Sequence, residues 1–279
     1  MECYDYGARL QDPQIGKFFT QDRFSEKYYP LSPYQYGAND PIRNIDVNGD
    51  SIWVTVNTQI ANPDGSTTLQ TNRFYYGRDN QGNYGFLDPS TGKLYSGDNN
   101  FLTQASNALG NLRSGTVGKN LVDYLASSSK NTEIAYGVKN YADEKSGAYV
   151  LWNENGAPSA PDQKGNTNPP AYIGLGHELA HIQDIWQGTI NRQTWRSVKD
   201  VTGNVVNITN AELYATHMEN QIRAEHNIPL REFYGVTPDR QGDPSTRIIR
   251  SNTNKSLYYD SNGNTNYQRL KRNQVPFTY

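Results

Sequence analysis

Apolar residues between Ile173 and Trp186 recur at helical spacing: Ile173, Leu175, Leu179, Ile182, Ile185 and Trp186. That period predicts a buried α-helix, and Gly188 is placed to stop it. Gly174 and Gly176, just before its centre, predict close approach of a neighbouring strand or a tight entry turn. Thr209 to Arg223 predicts a second helix, with Ala211, Ala215, Met218 and Ile222 as its apolar stripe. Residues 101–112 and 118–127 carry the same period. Ile52–Val56, Glu133–Gly137 and Gly147–Asn153 read instead as strands.

Turn formers divide the rest. Asn62-Pro63-Asp64-Gly65 and Asp79-Asn80-Gln81-Gly82 separate alternating runs, so residues 51–100 read as hairpins. Residues 4–50 alternate aromatic residues with turn formers, as short strands and tight turns do. Between Gly156 and Pro170 runs a Gly/Pro/Asn-rich loop, a mobile lid or a surface excursion. Residues 236–279 read as a polar, Asn-rich tail. The expected class is α+β, divided at 1–50, 51–100, 101–235 and 236–279.

The first predicted helix carries chemistry. Four histidines occur in the chain, and two of them frame His177-Glu178-Leu179-Ala180-His181, an HExxH pentapeptide. Residues four apart share a helix face, so both imidazoles can reach one ion while Glu178 sits a step round. A catalytic zinc takes three protein ligands and keeps a position for water, and a neighbouring carboxylate can take that water's proton. His177 and His181 are therefore candidate ligands for Zn2+, and Glu178 the candidate base; the bland reading is two satisfied histidines on a packed helix.

The third ligand lies on the second helix, as Glu212 or Glu219. Against Glu212 stands a capping box, Thr209-x-x-Glu212. Against Glu219 stands solvation or an i, i+4 pair with Arg223. Asp184, on the ligand face, could orient an imidazole. Tyr234, His217, His226 and Arg231 are candidates to stabilise an oxyanion, Tyr234 first.

Composition removes several classes. Hydrophobic residues make up only 35% of the chain, so a compact core must coexist with long polar loops. No apolar run approaches the roughly 20 residues that span a bilayer, and the start lacks the pattern of a secretion signal. Cys3 is the only cysteine, which rules out an internal disulfide. Residues 236–279 carry seven Lys/Arg against three Asp, net +4, while the whole chain is −2. No nucleic-acid motif accompanies that charge, so a solvated or packing segment is expected and nucleic acid is not expected as a partner.

Over about residues 100–235 these motifs resemble the thermolysin-like (gluzincin) pattern and, more closely, bacterial effector and toxin zinc metallopeptidases. The shared downstream stretch is Glu219-Asn220-Gln221-Ile222-Arg223-Ala224-Glu225, then Pro229, Arg231 and Tyr234. The resemblance implies a zincin-like domain with a small mixed sheet and an active-site helix, Glu212 as third ligand and Tyr234 at the oxyanion. It also implies that the strand at 147–153 forms the cleft edge beside an extended substrate.

Residues 4–50 resemble the Rhs repeat-associated core. The matching elements are Tyr4-Asp5-Tyr6-Gly7-Ala8-Arg9, Asp12-Pro13, Gly16-Lys17-Phe18, Ser32-Pro33-Tyr34-Gln35-Tyr36, Asn39-Asp40-Pro41 and Asp46-Val47-Asn48-Gly49. This resemblance implies an Rhs-type polymorphic toxin whose payload starts near Asp50, secreted or delivered by a specialised secretion system. The implied partners are a target-cell protein substrate, a cognate immunity protein and an Rhs shell protein. Self-cleaving relatives use aspartates that correspond to Asp22 and Asp46; here Arg23, Val47 and Asp50 replace the usual flanking residues, so cleavage is not expected. The upstream repeats are absent, which implies a fragment of a longer product or an orphan toxin gene. Two other readings remain: a non-catalytic interaction module whose zinc site is structural or vestigial, with His217 the candidate fourth ligand of a closed site, and a nuclease toxin, for which neither an acidic metal cluster nor a basic groove is found.

Overall fold

The computed structural model describes residues 4–5, 10–12, 14–15, 17–19, 52–62, 66–88, 91–128, 130–200 and 202–279. Most of the Rhs-like block, including Asp22, Asp46 and the element 46–49, lies outside them, as does the centre of the turn at 63–65. The fold is mixed α+β, in two compact units: Met1–Ser106 with Leu125–Glu133, and Asn107–Tyr124 with Ile134–Tyr279.

In the first unit, β1 (Tyr4–Asp5), β2 (Leu10–Asp12) and β3 (Lys17–Phe18) form a small antiparallel sheet. β4 (Ile52–Ala61) and β5 (Thr67–Arg78) form a long antiparallel hairpin, and β6 (Tyr84–Leu87) adds to β5. Ile52, Val54 and Val56 alternate inward with Phe74, Tyr76 and Phe86, and burial ends at Asn57, where the apolar alternation ends. The expectation of hairpins in this stretch is met.

The turn from β5 to β6 recurs. At Asp79, Asp162, Asp200 and Asp260 the carboxylate accepts the N–H groups two and four residues on. The fourth residue of each turn is a glycine at φ between +81° and +91°, a conformation that side chains resist.

Two helices follow, α1 (Asn100–Arg113) and α2 (Thr116–Ala126), then β7 (Thr132–Tyr136). Asn99 caps α1, its Oδ1 accepting the Leu102 N–H at 2.9 Å.

The second unit is built on α3 (Ala171–Gln187) and α4 (Ala211–Glu225), packed on each other. α3 is buried over most of its length, as its nearly continuous apolar pattern requires, and Gly188 closes it in the left-handed conformation at φ +74°. The helix begins at Ala171, so Gly174 and Gly176 lie inside it. A Cβ on Gly176 would sit 3.0 Å from Leu112 and 3.1 Å from Ile222, so this glycine admits helices, not the expected strand or entry turn.

Beside α3, β8 (Tyr141–Ala142) pairs with β9 (Tyr149–Trp152), whose other flank meets the end of β7 through Gly137 N–H to Trp152 O. β9 is therefore interior, and the two-residue β8 holds the outer position expected of residues 147–153. The loop 156–170 is tied down as an excursion: Ser159 N–H bonds Thr167 O, and Gln163 N–H bonds Leu230 O. β10 (Thr194–Lys199) and β11 (Val205–Thr209) form a hairpin that leads into α4.

Residues 236–279 are not a detached tail. β12 (Lys255–Asp260) pairs with β13 (Pro276–Thr278), and Ile248, Ile249, Tyr258 and Tyr259 join Trp195, Ile208, Leu213 and Leu230 in one core. The composition of this segment hid its few inward positions among many polar turns. Among the described residues no helix is long and apolar enough to cross a membrane.

Candidate metal centre

α3 places His177 and His181 one turn apart, with ring centroids 5.1 Å from each other. Both Nε2 atoms lie 3.1 Å from Glu212 Oε2. These three residues form a cluster whose ligand atoms all fall within 4.8 Å of one another. Glu212 is available because the capping box does not form: α4 starts from Asn210 with no side-chain cap bond, and Thr209 ends β11.

Glu219 lies two turns further along α4, behind His177. Its Oε2 is 2.9 Å from His177 Nδ1, and it also accepts from Arg231 Nη1 at 3.0 Å. Its Oε1 accepts from Arg223 Nε at 2.7 Å. A carboxylate can only accept, so on a neutral His177 the proton belongs on Nδ1, which leaves the Nε2 lone pair for an ion.

Burial opposes every charge here, and the partners overcome it. Although burial pulls His177 down, hydrogen bonds to Glu212 and Glu219 carry it up to about 10. His181 is raised against burial by Glu212. The imidazoles hold Glu212, and Arg231 and Arg223 hold Glu219, well below the usual carboxylate range despite burial. Glu178 is buried and goes the other way, pushed up by desolvation. Tyr234 is pushed well above the usual phenol range, first by burial and then by the nearby charge of Glu212.

Two converging imidazole nitrogens and one carboxylate oxygen are a donor set that suits zinc. The same oxygen lies 3.1 Å from both Nε2 atoms, so the three donors converge on one place, where a dication would be held with both histidines neutral.

The family comparison covers the same helices. Residues 90–234, just over half of the chain, match the Peptidase M91 family, described as an effector protein. The chain belongs to that family. It thus belongs to a family of effector proteins of peptidase type. Over 46 residues the chain is also 50% identical to Salivary gland surface protein 1 of Aedes aegypti. That stretch is 16% of this chain and 1% of the mosquito protein, so it says nothing of the activity of either whole. No solved structure matches.

The remaining candidates of this M91 chain divide clearly. Tyr234 is brought in: its ring centroid lies 6.4 Å from that of His177. Arg231 is also present, but its guanidinium is spent on Glu219 and on the carbonyls of Phe233 and Tyr234. Asp184 does not orient an imidazole. Its Oδ1 accepts from Thr189 Oγ1 at 2.5 Å, and His181 Nδ1 has no hydrogen-bond partner. His217 is held elsewhere, stacked on Tyr259 at 3.7 Å with Nδ1 2.9 Å from Tyr279 Oη, and burial pushes it down to about 3. His226 closes α4 and packs on the Tyr172 ring.

Sequence reasoning missed two participants. Asn220, wholly buried, holds the Arg231 backbone through both ends of its amide. Glu144, in the turn after β8, is raised by burial and feels the charges of His181 and Glu212. Asn220 could have been found from its place in the Glu219–Tyr234 stretch; a lone acid in a turn offers no such signal.

Proposed function

We propose that this effector is a zinc-dependent endopeptidase in which His177, His181 and Glu212 hold the ion, Glu178 is the general base and Tyr234 the oxyanion donor. The observation that carries the reading is the meeting of two Nε2 atoms and one Oε2 within 4.8 Å, with His177 Nδ1 already taken by Glu219. When bound, zinc supplies polarisation of the scissile carbonyl and a water acidic enough to attack at neutral pH.

The chain's own residues supply the remainder. Glu178, buried and pushed up by desolvation, takes the water's proton and returns it to the leaving amine. Tyr234 stays protonated at any physiological pH, so its hydroxyl can donate to the carbonyl oxygen as charge develops there. Outer strand β8 offers backbone groups to an extended peptide. Its Tyr141, largely exposed, is near enough to feel the charge of Glu178. What supports an open coordination position, against a structural zinc, is that His217 is occupied by Tyr259 and Tyr279.

The Rhs-like block suggests the biological setting: a toxin domain delivered to a target cell, restrained in the producer by an immunity protein and carried with an Rhs shell protein. Metal analysis of the purified chain should give about one zinc per molecule. Glu178→Ala should keep that zinc and abolish peptide cleavage and toxicity; retained toxicity rejects the peptidase mechanism.

A further inference from the structure

The chain leaves α4 at Glu225, turns, and comes back along the helix to deliver Tyr234. Three side chains hold that return. The Asn220 amide donates to Arg231 O at 3.1 Å and accepts from Arg231 N at 2.8 Å, pairing with the backbone as a strand would. Arg223 donates Nη1 to Pro229 O at 3.0 Å while its Nε holds Glu219. Arg231 then makes three divergent bonds: Nη1 to Glu219 Oε2 at 3.0 Å, Nε to Phe233 O at 3.1 Å and Nη2 to Tyr234 O at 2.9 Å. The same guanidinium lies 4.7 Å over the Tyr234 ring.

Each contact points to a different part of the site. Glu219 fixes the tautomer and ring orientation of His177. Phe233 and Tyr234 carbonyls fix the backbone that carries the Tyr234 ring to within 6.4 Å of the His177 ring. Only a planar fork with several donors can hold both at once. We propose that Arg231 is a positioning residue whose one guanidinium sets the His177 ring and the Tyr234 phenol together, so that metal ligand and oxyanion donor are assembled as a unit. This rests on the zinc reading of the site. It also explains why Glu219, Asn220, Arg223, Pro229, Arg231 and Tyr234 occur as one stretch: they close a single clamp.

The test uses the full chain and two readouts besides hydrolysis. Zinc affinity is measured by competition with a chromophoric chelator. Acetohydroxamate affinity of the cobalt-loaded chain is read from its visible spectrum, as a probe of oxyanion donation. Tyr234→Phe should weaken acetohydroxamate by about 10-fold or more, the effect of one hydrogen bond to a charged group. Arg231→Met should weaken zinc by about 10–100-fold, as loss of an outer partner does, and acetohydroxamate as well. The double variant should bind acetohydroxamate no more weakly than Arg231→Met alone, because the phenol is already misplaced.

Arg231→Lys keeps a cation against Glu219 but cannot span the carbonyls. It should hold zinc within about threefold of wild type while losing acetohydroxamate affinity like Tyr234→Phe, and it carries the test if Arg231→Met does not fold. Losses that multiply in the double variant overturn the clamp. So does an Arg231→Lys chain equal to wild type in both readouts, or one that loses both in step with a lowered melting temperature. A wild-type chain that takes up no zinc removes the peptidase reading and this inference with it, whereas normal zinc binding beside any of those three results removes the clamp alone.

Discussion

Glu225 ties the end of α4 to the start of α2. Its carboxylate accepts the Val117 N–H at 2.8 Å and the Gly118 N–H at 3.0 Å, across more than a hundred residues of sequence. Those are donors that the first turn of α2 cannot satisfy internally. Two such bonds contribute about 1 kcal/mol each, so Glu225→Ala should cost about 2 kcal/mol, in line with measured losses of helix caps. For a unit of this size that is a drop of about 4–8 °C in melting temperature. Gly115 offers an independent way to break the same contact, because a Cβ there would sit 2.2 Å from Glu225 Oε1 and expel the carboxylate. Gly115→Ala should therefore destabilise by nearly as much, and the double variant should cost no more than Glu225→Ala alone. Urea and thermal unfolding of the zinc-free wild type, the two single variants and the double give the complete cycle. A Glu225→Ala chain within about 0.5 kcal/mol of wild type, or single costs that simply add, would refute the reasoning.

Two further outcomes are expected. Glu212→Gln should lower zinc affinity by more than the roughly 10–100-fold of an outer-partner loss, and Glu219→Gln should fall within that range; the reverse order, read by chelator competition, reassigns the ligand. His217 is held down at about 3 against 6.5 in the unfolded chain, so below pH 6.5 the unfolded state binds the proton that the folded state refuses. Stability should thus fall on acidification, by about 2 kcal/mol between pH 6.5 and 4.5. His217→Phe, which retains a ring against Tyr259, should flatten that stretch of the stability curve, and an unchanged slope in urea denaturation counts against the assignment.

How far the site was legible depends on which interactions are local. His177, Glu178 and His181 could be read directly, because one helical turn fixes their relation whatever surrounds them. The choice between Glu212 and Glu219 could not. Both lie on one face of α4, seven residues apart, and each has a local explanation that looks sufficient. In the folded chain the cap at Thr209 is not made, and the two carboxylates address opposite nitrogens of His177. Asp184 shows the converse: correct spacing put it on the ligand face, but Thr189, beyond the helix end, supplies its hydrogen bond.

By itself, then, the order of residues determined the helices, the hairpins, the donor pair on α3 and the family to which the chain belongs, since periodicity and turn chemistry act within a few residues. Only the tertiary structure decided which glutamate meets both imidazoles, that Arg231 is bonded to Glu219 and to two backbone carbonyls, that β9 is interior and that Ile248, Ile249, Tyr258 and Tyr259 of the last segment join a core. Those outcomes turn on buried charges finding partners distant in sequence, and a desolvated carboxylate accepts whichever cation or N–H the packing brings to it.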